Sequence, residues 1–157
     1  MGYNTTFSGE LKIEPELNSL QRAYLSAMLG QDCREHSEWD EAYQSIPEEY
    51  KSKHDRKVTQ LTWMDFELRH VDTIAWNGSE KSYDMTTKVN LIIALMREIM
   101  PEFSLSGHMD ANGEEVGDIW RLEIDDNGWA KTIPMKAMAE AEVRCPNCLE
   151  KFIPENE

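Results

Sequence analysis

Trp120-Arg121-Leu122-Glu123-Ile124-Asp125-Asp126-Asn127-Gly128-Trp129 decides the fold class. Trp120, Leu122 and Ile124 alternate with charged residues, the period of a half-buried strand. Asp126-Asn127-Gly128 supplies tight-turn chemistry, and residues 129–135 read as the returning strand. Strands joined by so short a turn run antiparallel. Upstream, Phe103, Leu105, Gly107 and Met109 alternate too, so this half of the chain reads as a three-stranded meander.

Working outward, residues 86–100 are the clearest helix. Val89, Ile92, Ile93, Leu95, Met96, Ile99 and Met100 make a wide apolar stripe, and Pro101 stops it. Asp84 or Thr86 is the expected N-cap. At the start of the chain, Tyr3, Thr5, Phe7, Gly9, Leu11 and Ile13 fall on one face of a strand, and Asn4, Thr6, Ser8, Glu10 and Lys12 on the other. Pro15 suits the first turn of a second helix, where Leu17, Leu20, Tyr24, Leu25, Met28 and Leu29 recur at helical spacing up to Gly30. Residues 31–57 are polar, with Trp39, Tyr43, Ile46 and Tyr50 spaced three or four apart, which reads as a helical excursion held to the core by a few aromatics. Residues 61–76 favour a strand kinked near Val71 and Asp72, and Asn77-Gly78 ends it.

The order is strand, helix, excursion, one or two strands, helix, meander. The expected fold is α+β: an antiparallel or mixed sheet with two main helices on one face, close to a ferredoxin-like plan, plus the polar excursion. Residues 1–143 form one domain with the insertion at 31–57, and residues 144–157 form a Cys-x-x-Cys tail.

The chain has 157 residues, 40% of them apolar, enough to bury a core. Acidic residues number 30 against 16 lysines and arginines, a net charge of −14. That excludes a broad basic face for duplex nucleic acid and opposes docking on an anionic membrane. No apolar run is long enough to span a bilayer, and residues 1–6 lack the basic start and apolar core of a secretory signal. Three cysteines are an odd count without a disulfide framework, which points to a reducing, cytoplasmic setting.

Two segments carry candidate chemistry. The first is Gly113-Glu114-Glu115-Val116-Gly117-Asp118-Ile119-Trp120-Arg121. As a plain hairpin, its glycines take strained dihedrals, Glu115 or Asp118 pairs with Arg121, and Trp120 points inward. As a site, Glu114, Glu115 and Asp118 converge on a cationic partner or a divalent ion, with Arg121 alongside. His108 lies nearby. The second segment is the tail. Cys145-Pro146-Asn147-Cys148 has zinc-knuckle spacing, and Cys33-Arg34-Glu35-His36 offers a matching thiolate and imidazole. Together they would make a three-thiolate, one-imidazole zinc site. The alternatives are an all-thiolate site shared between two tails, or an unmetallated end.

The first of these segments resembles a motif, Gly-Glu-Glu-x-Gly-Asp-x-Trp-Arg, in small bacteriophage and actinobacterial proteins. Similar proteins open with a Tyr-x-Thr-x-x-x-Gly strand, matched by Tyr3, Thr5 and Gly9. They also carry a Tyr-Asp pair before an amphipathic helix, matched by Tyr83 and Asp84. The resemblance covers about two-thirds of the chain and implies a phage-like origin and an α+β fold, not a reaction. No nucleophile–base order, phosphate-cradling glycine loop or His-Glu-x-x-His appears, so an enzyme is not expected. The expected function is an acidic phage-type accessory protein in the host cytoplasm. It binds and modulates a host protein with a basic surface, in an anti-defence or nucleic-acid-mimic role. The alternative is a zinc-binding interaction module built on the tail.

Overall fold

A computed structural model describes residues 3–51, 56–70 and 72–135. The alternating first segment becomes β1 (Thr5–Glu14), with Phe7, Leu11 and Ile13 buried and Thr6, Ser8 and Lys12 exposed. Along one side β1 pairs with β4 (Ser104–Gly113) throughout its length, from Thr5 opposite Gly113 to Glu14 opposite Ser104. Along the other it pairs with β3 (Thr73–Trp76), Leu11 opposite Ile74. Adding β2 (Phe66–Arg69), β5 (Ile119–Ile124) and β6 (Ala130–Pro134) gives a six-stranded sheet in the order β2-β3-β1-β4-β5-β6. Every neighbouring pair is antiparallel, so the choice between antiparallel and mixed resolves to antiparallel.

Residues 61–76 resolve the choice between one and two strands in favour of two. They hold a hairpin rather than one kinked strand: β2 turns through His70, at φ +60°, into β3. Register explains why the alternation looked continuous. Phe66 lies opposite Trp76 and Leu68 opposite Ile74, so both strands present their apolar residues to the same side.

α1 (Ser19–Met28) begins later than Pro15 suggests. Its cap is Asn18, whose Oδ1 accepts the Gln21 N–H at 2.8 Å while Gln21 Oε1 accepts the Asn18 N–H at 2.9 Å. Leu25 and Met28 are buried, but Leu20 is exposed, so the inward stripe is narrower than the apolar spacing implied. Among its described residues the excursion holds one short helix, α2 (Asp40–Gln44), among single 3-10 turns at Cys33–Glu35, Ser37–Trp39 and Glu48–Tyr50. It is tied in by more than aromatics: Cys33, Ala42, Tyr43 and Ile46 all join the core.

α3 (Met85–Ile99) is the centre of the packing. From Met85 to Met96 every residue but Thr86 is buried, polar Lys88 and Asn90 included. Lys88 Nζ donates to Thr62 Oγ1 at 2.9 Å. Asn90 docks on β6 as a strand would: its Nδ2 donates to the Ala130 carbonyl at 3.0 Å and its Oδ1 accepts the Ala130 N–H at 2.7 Å. One side chain thereby satisfies both backbone groups of an edge residue. Asp84 holds the N-cap position as expected, but at φ +53° and without a side-chain cap bond. Among the described residues no helix is long and apolar enough to cross a membrane.

Two outcomes are expected. Ile92→Asp places a charge where the side chain is fully buried and should abolish cooperative folding; a thermal melt near that of the native protein would place Ile92 outside the core. Asn90→Leu keeps volume but orphans the Ala130 N–H and carbonyl. It should lower stability by about 1–3 kcal/mol for each orphaned group, read as a shifted denaturant midpoint.

Candidate functional site: an acidic hairpin tip braced by Tyr3

Residues 113–118 join β4 to β5. Gly113 donates its N–H to the Asp118 carbonyl at 2.8 Å, Asp118 to Glu115 at 3.1 Å, and Ile119 to Gly117 at 3.0 Å. The two glycines are needed for different reasons. Gly117 sits at φ +87°, where a side chain would be strained. Gly113 lies outside the left-handed region but has no room: a Cβ there would run into the Asp118 carboxylate and the Tyr3 hydroxyl.

What fills that space is a brace. The Tyr3 hydroxyl donates to Asp118 Oδ2 at 2.5 Å and accepts the Glu115 N–H at 3.0 Å. The Tyr3 N–H donates to the Tyr83 hydroxyl at 3.2 Å, and Asn4 Oδ1 accepts the Lys81 N–H at 3.0 Å. Tyr3, Tyr83 and the 113–118 turn stand far apart in the sequence and meet here. With Asp118 turned inward onto Tyr3, the tip presents exposed Glu114 and Glu115 and a fully exposed Val116.

The pairing expected for Arg121 is not the one observed. Neither Glu115 nor Asp118 receives it; Arg121 Nε donates to Asp110 Oδ1 at 2.8 Å. The cause is register, which sets Asp110 directly opposite Arg121 across β4 and β5. Arg121 therefore belongs to the polar face of the sheet rather than to the tip. His108 shares that face, 3.9 Å from Asp110 and in register between Glu10 and Glu123. Trp120 points inward as expected, its ring edge-on to Phe7 at 5.6 Å.

Cys33 is fully buried, and burial pushes its thiol up to about 11. His36 is occupied locally: Nδ1 lies 2.7 Å from Glu38 Oε2, and the ring stacks on Trp39 at 4.1 Å. Cys145 and Cys148, with the rest of the tail, lie outside the described residues. Among the described residues no group of three or more His, Cys, Asp or Glu side chains is placed to hold a metal.

A second brace mirrors the first at the other end of β5. The Tyr50 hydroxyl donates to Asp125 Oδ2 at 2.5 Å, and Asp125 Oδ1 accepts the N–H groups of Asn127 and Trp129 at 2.9 and 3.2 Å. Burial alone would raise the Asp125 carboxyl, but these three bonds outweigh it and hold the group below its ordinary value. Arg97 reaches the turn from α3, donating to the Gly128 carbonyl at 3.4 Å and lying over the Trp129 ring at 4.9 Å. Sequence reading missed both tyrosine braces. Comparison with protein-family models, with characterised proteins and with solved structures finds no match to this chain.

The Asp118 carboxylate holds the proton on Tyr3, raising the hydroxyl above the ordinary tyrosine value of 10.0. A raised value means the brace is complete below pH ~10 and is lost as pH rises through the folded-state value. Alkaline titration of tyrosinate absorbance should show a late-titrating group that Tyr3→Phe removes. Gly113→Ala should push the Asp118 carboxylate and the Tyr3 hydroxyl apart and accelerate hydrogen exchange at Glu115. Unchanged exchange at Glu115 in both variants would mean the brace does not hold the tip.

Proposed function

We propose that this is a non-enzymatic binding protein whose braced acidic tip docks on a basic protein surface. The observation that carries the reading is the geometry of the tip. Glu114, Glu115 and Val116 stand exposed on a turn whose shape is fixed from behind by Tyr3. A preorganised turn gives up little entropy when it binds, and an exposed apolar residue between carboxylates suits a basic surface with an apolar centre. The net charge of −14 adds long-range steering toward such a surface. In the phage-type reading, the protein modulates a host protein, in an anti-defence or nucleic-acid-mimic role; the resemblance carried by the motif, by Tyr3 and by Tyr83-Asp84 supports this.

The same proposal includes a finer reading of the fold. Taken alone, β4-β1-β3-β2 with α1 and α3 follows the ferredoxin-like order, and β5 and β6 extend it past β4. Support comes from the wholly antiparallel pairing and from the contact of α1 with α3. An experimental structure with α1 and α3 on opposite sheet faces would defeat it.

Asp118 serves the brace, so the clean test changes Glu114 and Glu115 only. The full chain, immobilised, should capture a basic partner from bacterial lysate at low salt. With that partner purified, association should slow steeply as salt rises, because ionic strength screens charges within roughly 8–10 Å. Glu114→Gln with Glu115→Gln should slow association about tenfold and leave the melting temperature within a few degrees, since exposed carboxylates contribute little to folding. Full binding by that double variant would end the docking proposal.

A further inference from the structure

The start of α1 and the last turn of α3 flank a groove of about 510 Å3, lined by Asn18, Leu20, Gln21, Ala23, Tyr24 and Ile99. None of these side chains carries a charge. The oxygens of Asn18 and Gln21 are already taken by the α1 cap, so the lining offers mainly apolar surface. Leu20 is 81% exposed, Ile99 46% and Tyr24 37%. Three of the large apolar side chains that the fold leaves in solvent therefore stand together. Apolar side chains gathered around one groove mark an interaction surface, as scattered ones do not.

The spacing along α1 says what shape fits. Leu20, Ala23, Tyr24 and Ala27 fall at i, i+3, i+4 and i+7, and all four are exposed. α1 thus carries two apolar stripes: Leu25 and Met28 face the core, and this second stripe faces out. Two of its four positions are alanine, which lets another backbone approach closely. Ile99 supplies a side wall from α3. A straight seam with small residues between larger ones is what a second helix packs against.

Charge selects among possible helices. Partial burial first, and the Glu98 carboxylate second, raise the Tyr24 hydroxyl above its ordinary value, which places exposed Glu98 beside the seam. Arg22, the one charged residue of α1, turns its Nη2 back to the Leu17 carbonyl at 3.4 Å. The rim is therefore acidic, within a chain of net charge −14. A second copy would bring the same net charge and a second Glu98 to this seam. Residues 136–157 hold five glutamates against three basic residues. Like charge opposes both as occupants.

We propose that this groove docks an amphipathic helix of a partner protein, its apolar face on Leu20, Tyr24 and Ile99 and its basic flank against Glu98. The apolar contact supplies affinity, and the charges select the partner and speed its approach. This surface is separate from the tip, because α3 begins beside Tyr83 at the tip end and Ile99 is the last residue of the helix.

The test titrates the full chain with a synthetic amphipathic peptide, leucine at positions i, i+3, i+4 and i+7 and lysine on both flanks, and follows backbone amide resonances. The amides of Leu20, Ala23, Tyr24 and Ile99 should shift together and saturate. A glutamate-flanked peptide should bind far more weakly, and a scrambled peptide of the same composition should not saturate. Leu20→Ser should weaken binding of the lysine peptide about tenfold, which corresponds to about 1.4 kcal/mol. It should leave the melting temperature within a few degrees, because the Leu20 side chain is already in solvent. Ala23→Gln puts bulk on the seam and should weaken binding as well; it decides the matter if Leu20→Ser does not fold. Equal binding by the scrambled or the glutamate-flanked peptide overturns the proposal, as does unchanged affinity in a folded Leu20→Ser. Loss of binding in Glu114→Gln with Glu115→Gln places the peptide on the tip and overturns it too. Two results without peptide assign the seam to another occupant. A dimer in sedimentation that Leu20→Ser dissolves identifies a second copy, and shifts at residues 136–157 in Leu20→Ser identify the chain's own end. Either overturns the proposal.

Discussion

The burial of α3 governs the rest of the molecule. A surface helix needs cover along one stripe, but between Met85 and Met96 this one leaves a single residue outside the buried set. Its flanks must therefore be covered as well as its inner side. The excursion supplies that cover through Ala42, Tyr43 and Ile46, and α1 through Leu25 and Met28. Lys88 and Asn90, fully buried inside the packing, then need partners, because an unpaired buried polar group costs about 1–3 kcal/mol. Lys88 reaches Thr62, and Asn90 takes both backbone groups of Ala130. The Asn90 contact also protects the edge of the sheet, since β6 has one residue already bonded and a proline at its end.

The opposite face of the sheet obeys a different rule. There Glu10, His108 and Glu123 form one cross-strand row, and Ser8, Asp110 and Arg121 the next. Lys12 pairs with Asp72, Arg69 with Glu67, and Arg121 with Asp110. Several charges on this face are matched close by, Arg121 across the strands, Arg69 within β2 and Lys12 at the turn before β3. The acidic excess lies instead in turns and in the excursion, where Glu114 and Glu115 have no basic neighbour in the turn. Charge that is locally unmatched and exposed contributes little to folding and acts at a distance, which is why the tip rather than the sheet is the surface proposed for docking.

The strands, the helix of residues 86–100 and the turn at Asn127-Gly128 were legible because each depends on local period or turn chemistry. The hairpin of β2 and β3 was legible only as one or two strands, since both put apolar residues on the same side and imitate one kinked strand. The Arg121 partner was available in principle. Pairing Asn112 with Ile119 across a closed turn sets Asp110 opposite Arg121, but that count requires the turn to be placed first. The tip was legible as composition, two glycines around carboxylates, but not as geometry. Its brace spans 115 positions, from Tyr3 to Asp118, and no periodicity reports a contact at that separation. Asn90 and Lys88 did carry a signal: polar residues interrupting Val89, Leu91, Ile92 and Ile93 must either face out or find partners, and here they find partners.

Strand direction explains why the tip, its brace and the start of α3 share one end. β1 starts at this end, and β4, antiparallel to it, finishes here, so Gly113 arrives beside Thr5. β3 is also antiparallel to β1 and finishes here, so the chain leaves Trp76 for α3 on this side, carrying Tyr83 and Asp84 with it. β5 sets out from the same end and β6 returns to it, placing Trp120 opposite Pro134. Tyr3 needs only to precede β1 to touch two of these connections at once. Once the pairing is fixed, the convergence costs no further chain, and the tyrosine that braces the turn also reaches Tyr83, the residue next to the N-cap of α3. The tip and the start of α3 are thereby linked through one side chain and one backbone N–H.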